Sequence, residues 1–243
     1  MLTSIAANHA KGKSAEDTIF AANAACVARA KEIGAENVTN ATIGAILDED
    51  EKLVCLPTVD KVFRSLSTDE LIAYAPISGL PDYLEEVINA AFGDSKPEGY
   101  MAAVATSGGT GVIHHAIWNY MDEGETALTS DWYWDPYSVL CQDMGRKLDT
   151  YTMLDENNKY NLPALKAKVE EILSKQKSLL LIINTPAHNP TGYSLTEDDL
   201  QGVIDILKAA TEGNGKTATL LLDIAYIDYA GERQAVRKFF KKI

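Results

Sequence analysis

Basic residues are scarce in this chain: 22 Lys and Arg stand against 35 Asp and Glu, a formal net charge of −13 over 243 residues. A surface of that sign repels phosphate backbones and anionic lipid, which argues against sequence-independent binding of nucleic acid or of a membrane. Any phosphate site must be local. Cysteine is scarcer still. Cys26, Cys55 and Cys141 are odd in number and form no Cys-x-x-Cys pair, so neither a disulfide framework nor a zinc ribbon is supported, and a reducing, cytoplasmic setting is expected. The opening MLTSIAANHAKGK lacks the apolar run of a signal peptide, and no stretch approaches the roughly 20 apolar residues that span a bilayer. With 16 Gly and 8 Pro the chain is neither collagen-like nor of low complexity. What is present is ordinary globular material, 46% hydrophobic and 23% charged, long enough for one to two domains.

Two rhythms divide the chain. Residues 1–99 read as helices and loops, and residues 100–230 alternate apolar strand-like runs with amphipathic helical ones. In the first stretch Ser14, followed by Glu16 and Asp17, is a candidate cap for an Ala-rich helix that Gly34 closes. Gly44 and the acidic turn Asp48-Glu49-Asp50 predict loop and hairpin over 36–57. Val59, Val62, Phe63 and Leu66 recur at helical spacing after Pro57. Pro81 opens a further helix with Leu84, Val87, Ile88 and Ala91 inward and Gly93 at its end. The run GDSKPEG at 93–99 is a candidate joint, giving domains 1–95 and 96–243.

From Met101 the expected order is a strand at 101–106, a glycine-rich turn, a helix with Val112, Ile113, Ala116, Ile117 and Trp118, and a strand at 126–130. The aromatic segment DWYWDPY follows, then a helix after Pro136, a strand in KLDTYTM, and a helix over 162–175. A strand at 178–184, a helix capped by Thr196 with Asp199 three residues on, and a buried strand at 217–226 complete the series. SLLLIIN at 178–184 is apolar almost throughout, as a parallel strand covered on both faces must be. The expected class is α/β: a mostly parallel sheet with helices on both faces and right-handed crossovers, behind a helical N-terminal segment.

Ligands of such sheets sit at the carboxyl ends of the strands. That rule gathers residues 107–111, 132–137, 184–192 and 223–226. The Gly108-Gly109-Thr110 turn offers backbone N–H groups and a hydroxyl at a helix N-terminus, which suits a phosphate, although a tight strand-to-helix turn needs the same residues. The third glycine of a Rossmann loop and the Lys-Ser/Thr pair of a Walker loop are both missing. His114 and His115 lie about 100° apart on a helix, a poor arrangement for sharing one metal. Asn189-Pro190-Thr191-Gly192 is a turn whose Asn amide can donate into the crevice, and is equally a generic turn. Asp223 ends the apolar run Leu220-Leu221-Leu222, so its carboxylate needs a partner. A protonated ring nitrogen of a bound cofactor or an Arg side chain would serve.

Together these residues carry a resemblance. Gly-Gly-Thr-Gly at 108–111, Ala-His-Asn-Pro-Thr-Gly at 187–192 and Asp-x-Ala-Tyr at 223–226 resemble the class I/II aminotransferases, the fold-type I pyridoxal-phosphate enzymes, and within them the aspartate aminotransferase branch. ATIGAILDEDEKLVCLPTV at 41–59 is similar to that family's substrate-loop region, and YAPISGL at 74–80 to its Tyr-x-Pro-Ile-x-Gly-Leu segment. The resemblance implies pyridoxal 5′-phosphate as cofactor, amino acid and 2-oxo acid substrates, and a homodimer with shared active sites. It implies that Gly109 and Thr110 bind the phosphate and that Trp134 stacks on the pyridine ring, with Trp132 as second choice. It further implies that Asn189 and Tyr226 hydrogen-bond the phenolic oxygen and that Asp223 pairs with the protonated pyridine nitrogen. Tyr74 would reach the phosphate of the neighbouring subunit, and Gly44 would lie in the substrate loop.

The departures are as informative. The family's Schiff-base lysine follows the Asp-x-Ala-Tyr strand by one further unit, in a Ser-x-Lys context, and no such segment precedes Ile243. Lys238, Lys241 and Lys242 are too close to Asp223 and read as a solvated basic face. No catalytic residue is therefore assigned, and the chain is expected to be an inactive N-terminal portion. The arginine that binds the substrate carboxylate is also missing, and Ile46-Leu47 follows Gly44-Ala45 where the family has another arginine. In the family's sheet the two strands after Asp223 stand between 101–106 and 178–184. Without them residues 101–106 are expected to be unpaired or displaced, and the sheet edge aggregation-prone. A carbon–sulfur lyase or decarboxylase of the same fold, or a non-catalytic binding module, are the alternatives.

Overall fold

The structure is a computed structural model and describes residues 5, 7–11, 18–50 and 52–243. Two compact units divide it, Met1–Tyr74 and Ala75–Ile243.

The first unit holds helix α1 (Thr18–Ile33), helix α2 (Pro57–Ser65) and the short helix α3 (Thr68–Ile72). The cap expected at Ser14, with Glu16 and Asp17, lies outside the described residues. Gly34 closes α1 as expected, at φ 94° with its N–H on the Ala30 carbonyl at 3.0 Å. The acidic turn is a hairpin, with Leu47 bridging Leu53 in antiparallel fashion. Helix α3 escaped the sequence reading although it has a full capping box, Ser67 and Glu70 each bonding the other's backbone N–H. No described residue of this unit is buried, and Val62, Phe63, Leu71 and Ile72 are all more than half exposed. A unit without a core does not account for its own stability.

The second unit begins its regular structure with helix α4 (Pro81–Phe92), which Pro81 opens and Gly93 ends at φ 52°. Helix α5 (Gly108–Tyr120), strand β1 (Thr126–Ser130), helix α6 (Pro136–Asp143), strand β2 (Lys147–Tyr151), helix α7 (Leu162–Leu173), strand β3 (Ser178–Asn184), helix α8 (Glu197–Thr211) and strand β4 (Thr217–Asp223) follow. The four strands are parallel, in the order β2-β1-β3-β4. Side chains alternate across β3 as the pleat requires. Leu179, Leu181 and Ile183 face a core with Leu165, Val169 and Val203 of α7 and α8, while Leu180 and Ile182 face Ile113, Ile117, Tyr137 and Cys141 of α5 and α6. Helices thus cover both faces, and each buried leucine contributes about 2 kcal/mol.

Residues 101–106 form no strand. Ala105 N–H donates to the Ser78 carbonyl at 2.7 Å, and none of the six pairs with β3. β3 stands between β1 and β4, the latter in register from Ser178↔Thr217 to Asn184↔Asp223, so both its edges are taken by other strands. A strand needs a partner for its backbone groups, and an apolar pattern alone supplies none.

The basic run near the C-terminus is a 3₁₀ helix, Ala235–Lys242. Its lysines are exposed as expected, but Arg237, Phe239 and Phe240 are buried, which a uniformly solvated face did not anticipate. With three residues per turn, Arg237 and Phe240 share a face. Phe240 meets Phe92 edge-on at 4.7 Å between centroids, and Arg237 donates to the Ala90 and Ala91 carbonyls at the end of α4.

Among the described residues no helix is long and apolar enough to cross a membrane, and no cluster of His, Cys, Asp and Glu could hold a metal. His114 and His115 are both exposed, and their rings meet edge-on. Cys55 is exposed and Cys141 fully buried, where desolvation pushes its thiol up to about 11 against a smaller downward pull from Arg146. At pH 8 only about a thousandth of such a thiol is thiolate. Titration with an aromatic disulfide at that pH should therefore consume Cys55 promptly and Cys141 only after denaturant is added; equal rates would show that the α5–α6 layer opens freely.

Candidate active site

The carboxyl ends of β1, β3 and β4 and the N-terminus of α5 surround a cavity of about 220 Å³. Gly109, Thr110, Trp134, Asn189, Asp223 and Tyr226, singled out in the sequence, all line it, joined by Ile113, Asn184 and Ala225. That volume is below the roughly 300–1,000 Å³ of most small-molecule pockets, which suits a single ring with short substituents rather than a dinucleotide. Trp132 is 58% exposed and does not line the cavity. Tyr74 and Gly44 belong to the first unit, and both are exposed.

Each wall follows from local structure. Helix α5 starts at Gly108 without a side-chain cap from Ser107, and its first turn leaves the N–H groups of Gly109 and Thr110 without helical acceptors. An uncapped end of that kind carries partial positive charge and suits an anion. Asp223 is the last residue of β4 and lies beside Asn184, the last of β3. The Asn184 amide fixes both neighbours: its Nδ2 donates to the Asp223 carbonyl at 2.8 Å, and its Oδ1 accepts from Asn189 N–H at 2.7 Å. Asn189 Nδ2 in turn donates to the Tyr226 hydroxyl at 3.1 Å.

The Asp223 carboxylate is half-buried, and among the described residues it forms no ion pair with an arginine. Its Oδ2 accepts from the Tyr137 hydroxyl at 2.5 Å and its Oδ1 from Ala225 N–H at 3.1 Å. Tyr137 is almost wholly buried, and desolvation, reinforced by the charge of Asp223 and the bond between them, holds its hydroxyl far above the ordinary tyrosine range. It stays neutral and remains a donor. Tyr137 also meets the Trp134 ring edge-on, with centroids 5.6 Å apart, so one buried phenol braces both the indole and the carboxylate.

Sequence reasoning placed Tyr137 only in the aromatic segment DWYWDPY and Asn184 only at a strand end. Neither role was legible, because Tyr137 and its acceptor are 86 residues apart in sequence.

A parallel sheet that gathers a helix N-terminus, an indole and a carboxylate around a ring-sized cavity defines a ligand-binding α/β protein. Residues 36–242 match the family described as aminotransferase class I and II. The aromatic-amino-acid aminotransferase of Escherichia coli (strain K12) is 28% identical over 207 residues, 82% of this chain and 50% of that protein. A mitochondrial aspartate aminotransferase of Dictyostelium discoideum is 26% identical over 218 residues, 82% of this chain and 48% of its own length. Among solved structures, an aminotransferase from Anaerococcus prevotii DSM 20548 superimposes with a TM-score of 0.94 at 36% identity, covering 99% of this chain and 59% of that one. This chain belongs to the class I and II aminotransferases. It spans about half the length of the curated relatives it matches.

Proposed function

We propose that the cavity holds pyridoxal 5′-phosphate and that the whole protein transfers an amino group between an amino acid and a 2-oxo acid. The observation that carries the reading is the convergence of three unlike groups on one ring-sized space: the open N-terminus of α5 at Gly109 and Thr110, the Trp134 indole, and the Asp223 carboxylate held by the Tyr137 hydroxyl. The donor set fits the cofactor's parts. Gly109 and Thr110 would hold its phosphate, Trp134 would pack on its ring face, and Asn189 and Tyr226 would bond its phenolic oxygen. Asp223 would hold a proton at its ring nitrogen. When bound, the cofactor supplies an electron sink for charge developing at the substrate α-carbon. Tyr137 keeps Asp223 in place by donating to one carboxylate oxygen, and the other oxygen is held by Ala225 N–H.

The reading extends to the rest of the chain. Residues 96–243 would supply part of the cofactor-binding domain, and residues 1–95 the arm and part of a small domain. Tyr74 would serve the phosphate of a neighbouring subunit in a cytoplasmic homodimer, with Gly44 beside the substrate. The family's Schiff-base lysine matches no position among these 243 residues.

Titrating the chain with pyridoxal 5′-phosphate and with pyridoxal, read by tryptophan fluorescence, tests the proposal. The phosphorylated form should bind about tenfold more tightly, the contribution of an anion at a helix N-terminus. Equal affinities, or no saturable quenching, would overturn it.

A further inference from the structure

Strand β3 ends at Asn184 with Asp223 beside it, and the chain then runs through 185–188 before Asn189 returns to the cavity wall. One side chain brings it back. Asn184 is 4% exposed; its Oδ1 accepts from the Asn189 N–H at 2.7 Å, and its Nδ2 donates to the Asp223 carbonyl at 2.8 Å. The partners dictate which way the amide points, because a main-chain N–H only donates and a carbonyl only accepts.

The two halves of that amide carry unequal shares. The Asp223 carbonyl also accepts from the Thr185 N–H at 3.0 Å, so the main chain holds it even without Nδ2. The Asn189 N–H has no other acceptor among the described residues, while the Asn189 side chain is committed across the cavity to the Tyr226 hydroxyl at 3.1 Å. Main-chain placement of Asn189 therefore depends on Oδ1, and removing that oxygen leaves a donor unpaired in the wall.

We propose that Asn184 is a positioning residue whose Oδ1 fixes where Asn189 stands relative to Asp223. The proposal rests on the reading of this cavity as a pyridoxal 5′-phosphate site, in which Asn189 serves the phenolic oxygen and Asp223 the ring nitrogen. Those are two atoms of one rigid ring system, so the spacing of their partners has to match it.

Two variants separate this role from space-filling. Asn184→Leu keeps the bulk and removes both bonds, whereas Asn184→Asp keeps an acceptor for Asn189 in either protonation state. At about pH 5.5 burial beside Asp223 favours the neutral acid, whose hydroxyl also replaces the amide donor. At that pH pyridoxal 5′-phosphate, followed by tryptophan fluorescence, should bind about tenfold more weakly to Asn184→Leu than to the parent and within about threefold of it to Asn184→Asp. In spectra of the free chain the Asn189 amide proton should move upfield in Asn184→Leu and stay in place in Asn184→Asp. If the leucine variant does not fold, Asn184→Ser, too short to reach Asn189, takes its place with the same expected losses. Equal losses in the aspartate and leucine variants, parent-like binding by Asn184→Leu, or an unmoved Asn189 amide proton in it would overturn the proposal. If the parent binds no pyridoxal 5′-phosphate, the cofactor reading fails, and the Asn189 amide proton of the free chain alone decides the role of Oδ1 by the same outcomes.

Discussion

Asp223→Asn should slow amino-group transfer by the whole protein about a thousandfold, the scale of losing one preorganised electrostatic contact, while weakening pyridoxal 5′-phosphate binding only about tenfold. The substitution leaves the shape of the site in place. The asparagine side-chain oxygen can still accept from Tyr137, so the brace that now runs at 2.5 Å keeps an acceptor and stability should change little. In the proposed site what is lost is the negative charge that would face the ring nitrogen, and a contact that matters most as charge develops affects rate more than binding. Single-turnover rates and cofactor titrations on the same preparation separate the two. A purely structural carboxylate would instead lower the unfolding midpoint and leave the rate near that of the parent.

The second large effect concerns stability. Arg237→Leu should destabilise the fold by about 3 kcal/mol, combining lost charge-assisted hydrogen bonds with an imperfectly filled space, and lower the thermal midpoint by about 10 °C. The Arg237 side chain is 2% exposed, with Nε donating to the Ala90 and Ala91 carbonyls at 3.2 and 3.0 Å and Nη1 to the Arg233 carbonyl at 3.1 Å. Its ionic partner Asp228 is 75% exposed, so water screens that pair and it contributes little. Asp228→Ala should therefore cost well under half as much as Arg237→Leu in calorimetry. Comparable losses would assign the role to the ion pair and not to the end of α4.

The legible parts of the fold were those in which local chemistry decides. The strand at 178–184 is apolar because both faces are covered, and Thr196 with Asp199 caps α8 through bonds spanning three residues. Both could be read to the residue. Residues 101–106 have the same apolar character and make no strand, because pairing is decided by neighbours the pattern does not contain. Arg237 was misjudged for a related reason: the Ala91 carbonyl it bonds lies 146 residues away, and in the sequence it is one more basic residue in a basic run.

The site divides in the same way. Residues at strand ends could be collected from the sequence because a parallel sheet gathers its carboxyl ends, and eight of the residues so collected line one cavity. The groups that hold them were hidden. Tyr137 and Asn184 act through partners far away in sequence, at the end of β4, and their residue types alone carry no mark of that work.

In the proposed site the Asp223 carboxylate would meet a protonated heterocycle. Nitrogen-15 resonance of ring-labelled pyridoxal 5′-phosphate bound to this chain measures that directly, because protonation moves the pyridine nitrogen strongly upfield. The bound ring should be protonated well above the pH at which the free ring loses its proton, and Asp223→Asn should abolish the difference. A bound ring that titrates like the free one in both proteins would contradict the account.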